Sequence, residues 1–379
     1  MPQSASLIIA SSESDSNLYY ATKFLVPDPV IYFEIAGKKH IVLSDLEFDR
    51  GKEQACVHQV LSLTKASKQI KRTPKTKDLP VYALVVDHFF KEKKIKGILV
   101  PSDFPSNYYV ALQKLGYKIS VKPDPFYEKR LIKTPEEKKH IIHSIRQVEK
   151  AFGEALVFLQ KSKIKNNKIY HGKELVTSEL LQSLINTRLM ELGCVGNHTI
   201  VASGVQGSLP HHHGAGPIIP HTPIIFDIFP RNIDSRYFAD MTRTVVKGKP
   251  SDTIKRMYKA VKSANEKAMH LVKAGANTAT IHKAAVTTLA KFGFKTGPNK
   301  SGRMEGFIHS TGHGLGLDIH ELPSVSSRES ILKKGFVITI EPGLYYEKEG
   351  GIRLEDDVFV TQNGFEQLTK FPKFLEIDR

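Results

Sequence analysis

Cysteine is almost missing from this sequence: 379 residues hold only Cys56 and Cys194. The two stand far apart and match no metal-ligand or redox spacing, which argues against a disulfide framework and against a Cys-type zinc site. Long apolar runs are also missing. Stretches such as residues 338–340 fall far short of the roughly 20 residues that a membrane span needs. The opening MPQSASLIIASSESDS has no basic n-region and meets an acidic residue at Glu13, so no secretory signal is read there. Few cysteines and no signal point to the reducing cytoplasm, with no membrane partner. No tandem repeat of fixed period is visible. Apolar residues at 40% and charged residues at 25% are ordinary globular values, which excludes a disordered or collagen-like chain. The length suits two or three domains.

Charge of one sign is in surplus, at a formal +16. The excess is regional. Residues 61–170 hold 24 Lys and Arg against 10 Asp and Glu, whereas residues 1–60 hold 5 against 8 and residues 171–379 hold 26 against 21. The densest run, KASKQIKRTPKTK at residues 65–77, lacks interleaved aromatic residues on which bases would stack. It reads as an exposed helix end and loop, and nucleic acid is not an expected partner.

Short Val- and Ile-rich segments at 6–10, 30–34, 40–43, 81–86 and 97–100 predict strands spaced for helical crossovers, hence an α/β N-terminal domain. A strong helix start follows. Thr134 can cap, Pro135 suits the first helical position, and Glu137 completes a capping box. Ile141, Ile145, Val148, Phe152 and Leu156 continue a helical spacing over about 25 residues. The domain boundary is set just before this helix, giving domains 1–130 and 131–379. In the second, helices are predicted at 251–274, from Ser251 to a stop at Gly275, and at 278–292. Strands are predicted at 200–202, 223–229, 242–246, 336–340 and 352–360, a mixed α+β pattern.

That second part places carboxylates where apolar residues would be expected. Asp227 lies within Pro223-Ile-Ile-Phe-Asp-Ile-Phe229, and Asp240 precedes Met241-Thr-Arg-Thr-Val-Val246. Glu341 ends Val337-Ile-Thr-Ile-Glu341, and Glu355 lies within Gly351-Ile-Arg-Leu-Glu-Asp-Asp-Val358. A carboxylate flanked by Ile and Val is costly to desolvate unless it is paired or binds metal. One such residue reads as a surface strand position; four read as a constellation. The densest motif runs from His309 through His313 to His320 and Glu321, and its glycines at 312, 314 and 316 argue for tightly turned backbone rather than helix. One imidazole with several carboxylates suits Mn²⁺, Co²⁺, Zn²⁺ or Fe²⁺. Two such ions about 3.5–4 Å apart need bridging carboxylates and lower the pKa of a shared water. The remaining histidines can donate hydrogen bonds to a developing oxyanion.

These residues resemble the M24 metallopeptidases of pita-bread fold, which include aminopeptidase P, prolidase and methionine aminopeptidase. The likeness covers residues 134–379. Arg130-Leu-Ile-Lys-Thr-Pro-Glu-Glu137 is similar to the entry into that domain in the Xaa-Pro branch, and Asn17-Leu-Tyr-Tyr-Ala-Thr-Lys-Phe24 is similar to the creatinase/prolidase N-terminal domain. The resemblance implies that Asp227 chelates one metal, that Asp240 and Glu355 bridge two, and that His313 and Glu341 hold the second. It implies Glu341 as general base, His320 against the substrate carbonyl, His309 lining the pocket, His211 stabilising the tetrahedral intermediate and Arg353 orienting carboxylates. Two divalent ions are implied, manganese first and cobalt, zinc or iron as alternatives, in a homodimer.

The sequence also departs from that pattern. Twelve residues separate Asp227 from Asp240 where the family commonly has ten, and Phe229 stands where a glycine is usual. Tyr237, three before Asp240, supports the register. The difference is read as a longer hairpin turn, with Asp234 the rival second ligand. His212, His213 and His221 have no family role. The N-terminal domain and the spacing of His309, His313 and His320 resemble Xaa-Pro enzymes more than methionine aminopeptidases. Creatinase-like relatives act without metal and lack the ligand set. After Pro323 comes Ser324, where some prolidases carry arginine, and the nearest downstream arginine is Arg328. This favours an Xaa-Pro aminopeptidase, acting on peptides with proline second, with Xaa-Pro dipeptidase (prolidase) the alternative. A non-catalytic pita-bread protein that binds nucleic acid or a partner through residues 61–170 is the reading from another class; the intact ligand set argues against it.

Overall fold

The computed structural model describes residues 3–377. The chain divides into two units, Met1–Arg130 and Leu131–Arg379.

In the first unit the elements are β1 (Gln3–Ala10), α1 (Ser16–Thr22), β2 (Val30–Ile35), β3 (Lys38–Leu43), α2 (Phe48–Gln54), β4 (Gln59–Ser62), α3 (Leu63–Gln69), α4 (Val81–Glu92), β5 (Ile95–Pro101), α5 (Ser106–Lys114) and β6 (Lys118–Lys122). The strands form one sheet in the order β4-β3-β2-β1-β5-β6. β1 runs parallel to β5 and antiparallel to β2. Successive side chains of a strand point to opposite faces, and both faces of this sheet are covered. Leu7, Ile9, Ile31 and Phe33 pack with Val85, Val86, Phe90 and Leu112 on one side. Ile8, Tyr32, Ile41 and Leu43 pack with Leu18 and Phe24 on the other. The strand expected at 81–86 is instead the start of helix α4. A short run of Val, Leu and Ala cannot be assigned by periodicity alone. Here it continues for twelve residues and buries Ala83, Leu84, Val85, Val86, Asp87 and Phe90.

The second unit opens with α6 (Pro135–Lys161), whose capping box is formed as Thr134 Oγ1 accepts from Glu137 N and Glu137 Oε2 accepts from Thr134 N. Such a cap contributes about 1 kcal/mol. A small sheet of β7 (Lys163–Lys165), β8 (Lys168–His171) and β9 (Glu174–Leu175) leads to α7 (Ser178–Glu191), then β10 (Cys194–Val195), β11 (Ile200–Ser203), β12 (Pro223–Ile228), β13 (Arg231–Asn232) and β14 (Met241–Val246). Helices α8 (Asp252–Met269) and α9 (Thr278–Lys291) follow. α8 is capped by Ser251 as expected but ends five residues short of 274, the chain turning at His270 before Gly275 adopts a positive φ. The last elements are β15 (Gly297–Pro298), β16 (Met304–Glu305), β17 (Gly312–Gly314), β18 (Glu321–Val325), β19 (Val337–Ile340), β20 (Gly343–Tyr346), β21 (Gly350–Arg353), β22 (Asp356–Val360) and β23 (Phe365–Gln367).

Three of the resulting sheets frame the candidate site: β11-β12-β14, β18-β17-β19-β22-β23 and the hairpin β20-β21. Apolar faces of α8 and α9, including Met257, Val261, Ile281 and Ala285, pack in one core with Ile338, Ile340, Ile352 and Val358. The single strand expected over 352–360 is broken. Residues up to Arg353 pair with β20, and residues from Asp356 pair with β19. Glu355 lies in the break, its N–H donating to the Thr242 carbonyl. Among the described residues no helix is long and apolar enough to cross a membrane.

Candidate metal centre

The hairpin of β12 and β14 sets the first two carboxylates. Asp227 lies on β12 opposite Thr242, and Asp240 immediately precedes β14. The connection between them holds β13, which pairs with β10, and a turn closed by Arg236 N donating to the Asn232 carbonyl. The two additional residues therefore fall in a structured hairpin loop. Asp234 is exposed at the tip of that turn, and Asp240 is the one that is buried. Tyr237 fixes the loop: its hydroxyl donates to Glu137 Oε1 at 2.8 Å, and its carbonyl accepts from Ser144 Oγ.

His313 enters from β17, where two glycines bring strands unusually close. A Cβ on Gly312 would lie 1.9 Å from the Thr339 carbonyl oxygen, and one on Gly314 would lie 2.2 Å from that of Leu322. Neither position tolerates a side chain. Nδ1 of His313 lies 3.1 Å from the Gly314 carbonyl and so carries the proton. That leaves Nε2 bare, 3.3 Å from Glu341 Oε1 and 3.6 Å from Asp240 Oδ2. Glu341 directly follows β19. Glu355 closes the group, and one potential ligand atom from each of Asp240, His313 and Glu355 lies within 4.8 Å of the other two.

A lone pair facing carboxylates repels them unless a cation lies between. Among the described residues Asp240 Oδ1 and Glu355 Oε1 are buried without a hydrogen-bond partner, a costly condition that a metal ion relieves. Burial and the Glu355 charge raise the Asp240 pKa well above the carboxylate range. Burial and the Glu341 charge do the same for Glu355. Burial pushes Glu341 up to about 7, against the pull of Arg353. Burial lowers His313. The donor set and its electrostatics fit a divalent cation with oxygen ligands and one imidazole.

The remaining expected residues surround this group. Arg353 donates to Asp227 Oδ2 at 2.6 Å and to the Tyr345 hydroxyl at 2.8 Å. His309 Nε2 lies 2.9 Å from that hydroxyl, and its Nδ1 lies 2.7 Å from the Ser310 carbonyl. Burial and Arg353 together hold the His309 pKa at about 3. His320 is exposed on the turn after β17, its ring meeting His313 edge-on at 4.4 Å. His211 is also exposed, near enough for its charge to lower both His309 and His320. His212, His213 and His221 serve loop structure, with contacts to Gly214 N, the His198 carbonyl and Lys249 N. Four contributors were not read from the sequence. Thr242 donates to Glu355 Oε2 at 2.7 Å, Thr339 donates to Glu341 Oε1 at 3.4 Å, Tyr345 links Arg353 to His309, and Asp357 Oδ2 accepts from Asp240 N at 3.1 Å. Only Tyr345 had a signal, its place four residues after Glu341.

The chain is similar to known proteins over most of its length. The family model of metallopeptidase family M24 matches residues 140–362. A Xaa-Pro dipeptidase of Pyrococcus horikoshii is 32% identical over 293 residues, which cover 75% of this chain and 76% of that one. The solved prolidase from Pyrococcus horikoshii superposes with a TM-score of 0.78 at 26% identity, over 98% of this chain and 95% of that one. The X-Pro aminopeptidase from Thermotoga maritima superposes with a TM-score of 0.78 at 25% identity, over 99% and 97%. The α+β unit has the pita-bread fold of these enzymes. Matched over more than half its length, and with Asp240, His313 and Glu355 brought close together, the chain belongs to metallopeptidase family M24.

Proposed function

We propose that the protein is a metal-dependent peptidase that hydrolyses Xaa-Pro bonds at peptide N-termini. One observation carries this: the bare His313 Nε2 faces Asp240 and Glu341, beside two buried carboxylate oxygens without partners. Asp227, Asp240, His313, Glu341 and Glu355 would hold two divalent ions, with manganese the first choice and cobalt, zinc or iron the alternatives. Bound there, such ions polarise a carbonyl and make hydroxide available near neutral pH.

The protein's own residues supply the rest. Glu341 takes the proton of the attacking water. His320 and His211, at the open edge, donate hydrogen bonds to the developing oxyanion. Arg353 orients Asp227 and, through Tyr345, fixes His309 in the pocket wall. Leu209, Ile308 and Leu322 are exposed apolar residues within two chain positions of His211, His309 and His320, which suits a lip for a proline ring. Residues 1–130 act as the creatinase/prolidase-like N-terminal domain and residues 131–379 as the catalytic domain. The protein works as a cytoplasmic homodimer, its free Cys56 and Cys194 kept reduced.

The Pyrococcus relative named Xaa-Pro dipeptidase draws the substrate reading towards dipeptides. Ser324 supports the second reading, an aminopeptidase of longer peptides, because no arginine directly follows Pro323 to meet a substrate carboxylate. Kinetics on Ala-Pro and Ala-Pro-Ala-Ala under metal titration separate them. Cleavage of at least one substrate at the Xaa-Pro bond, dependent on Mn²⁺, is expected. No cleavage of either with Mn²⁺, Co²⁺ or Zn²⁺ would sink the proposal.

A further inference from the structure

Unlike His313, which lies in β17, His320 stands exposed on the turn that follows that strand. Its edge-on contact with His313 can be kept only if the turn itself is held. The holding element is a buried ion pair. Lys133 Nζ lies 2.6 Å from Glu321 Oε2, with the two side chains 2% and 5% exposed. The other oxygen, Oε1, accepts from the backbone N–H groups of Leu317 at 3.1 Å and Asp318 at 3.3 Å. The Glu321 carboxylate thus fills the turn whose last residue is His320. Gly316 leaves the room, since a Cβ there would lie 2.6 Å from Glu321 Oε2. Lys133 is fixed in its turn. Its N–H donates to the Gly335 carbonyl, and the next residue caps α6.

Burying two opposite charges is costly and adds little net stability, so such a pair is better explained by the geometry it enforces. We propose that Lys133 and Glu321 form a strut that fixes His320 against His313, making both positioning residues for peptide hydrolysis. This rests on the peptidase reading above.

The test uses the full-length, metal-loaded protein and the better cleaved of the two peptides. Glu321→Gln is expected to lower kcat about tenfold, with KM and bound metal per chain little changed. A cycle with His320→Ala decides whether Glu321 acts through His320. If it does, His320→Ala/Glu321→Gln loses no more kcat than His320→Ala alone. Multiplying losses would overturn the strut, as would a Glu321→Gln kcat within twofold of wild type. Lys133→Met should match the Glu321→Gln loss. Lys133→Met/Glu321→Gln removes both ends of the strut, so it should lose no more turnover than either single variant; multiplying losses would also overturn the strut. If Lys133→Met does not fold, the His320 cycle with Glu321→Gln decides alone. A metal-loaded wild type that cleaves neither peptide would overturn the peptidase reading and the strut with it. An active wild type with silent variants overturns the strut only.

Discussion

A single backbone carbonyl sets the chemistry of His313. By accepting a hydrogen bond from Nδ1–H, the Gly314 carbonyl leaves the Nε2 lone pair facing Asp240 and Glu341. Only a proton or a metal ion relieves that contact, and burial makes His313 a poor proton acceptor. Asp240→Ala or His313→Ala should therefore empty the site and abolish Xaa-Pro hydrolysis. Metal analysis and peptide assays of each variant check this, and near-normal activity in either would refute the ligand assignment. His309 behaves differently, because its two nitrogens are already engaged by Ser310 and Tyr345. Its pKa of about 3 in the folded chain lies below the ordinary 6.5, so the unfolded chain takes up the proton first. Above pH 6.5 neutral His309 costs nothing; as pH falls from 6.5 towards 3 it costs progressively more. By pH 5 the loss reaches up to about 2 kcal/mol. His309→Asn keeps a donor and an acceptor without titrating. Urea unfolding of the metal-free protein should show wild type losing more stability than this variant between pH 6.5 and 5. Parallel pH curves would show that His309 is not responsible.

At the scale of elements, β17 lies against its neighbours with no room for a side chain at Gly312 or Gly314. Its glycines let the His313 N–H donate to Thr339 Oγ1, the hydroxyl that also reaches Glu341. Gly312→Ala would drive a methyl into the Thr339 carbonyl. It should destabilise by about 3 kcal/mol or more and loosen metal binding; an unchanged urea midpoint would contradict this. The glycines were readable in sequence because three alternate with His313 in a stretch that could not then be helical. The carboxylates were readable for a related reason, since Asp227 and Glu341 interrupt Ile- and Val-rich strands where charge is costly. Thr242 and Thr339 gave no such signal, because threonine is at home in any strand. Helix α7 was missed because its apolar residues do not share one face. Leu181, Ile185 and Leu189 are buried, while Leu184 and Met190 are exposed. The break at Glu355 was invisible locally. It arises because β21 pairs with β20 in one sheet and β22 with β19 in another, so the chain changes sheets at Leu354 and Glu355.

For the whole molecule, the basic surplus and the site are separate matters. The chain carries +16, with its excess in residues 61–170, yet the proposed ligands run from Asp227 to Glu355. What the centre contributes to the whole is a set of carboxylates whose proton affinity burial raises, Glu341 to about 7. Because these folded-state values lie above the unfolded ones, their contribution to stability is present in full at low pH and lost as pH rises through about 7. Metal-free protein should thus forfeit stability from this source between about pH 5 and 7.5. This trend is opposite in sign to that of His309, which is why each needs its own comparison. A divalent ion replaces the protons and reverses the loss. At pH 7.5, Mn²⁺ at about a hundred times its Kd should add about 2.7 kcal/mol. At pH 5 protons compete for the same oxygens and His313 nitrogen, so the gain should be markedly smaller. Thermal unfolding with Mn²⁺ and with chelator at the two pH values measures the difference, and amide exchange locates it. The added protection should fall on β12, β14, β17, β19 and β22 and leave the first unit's sheet unchanged. Equal metal-induced shifts at both pH values, or protection spread over residues 1–130, would show that the ion is held somewhere other than this buried group.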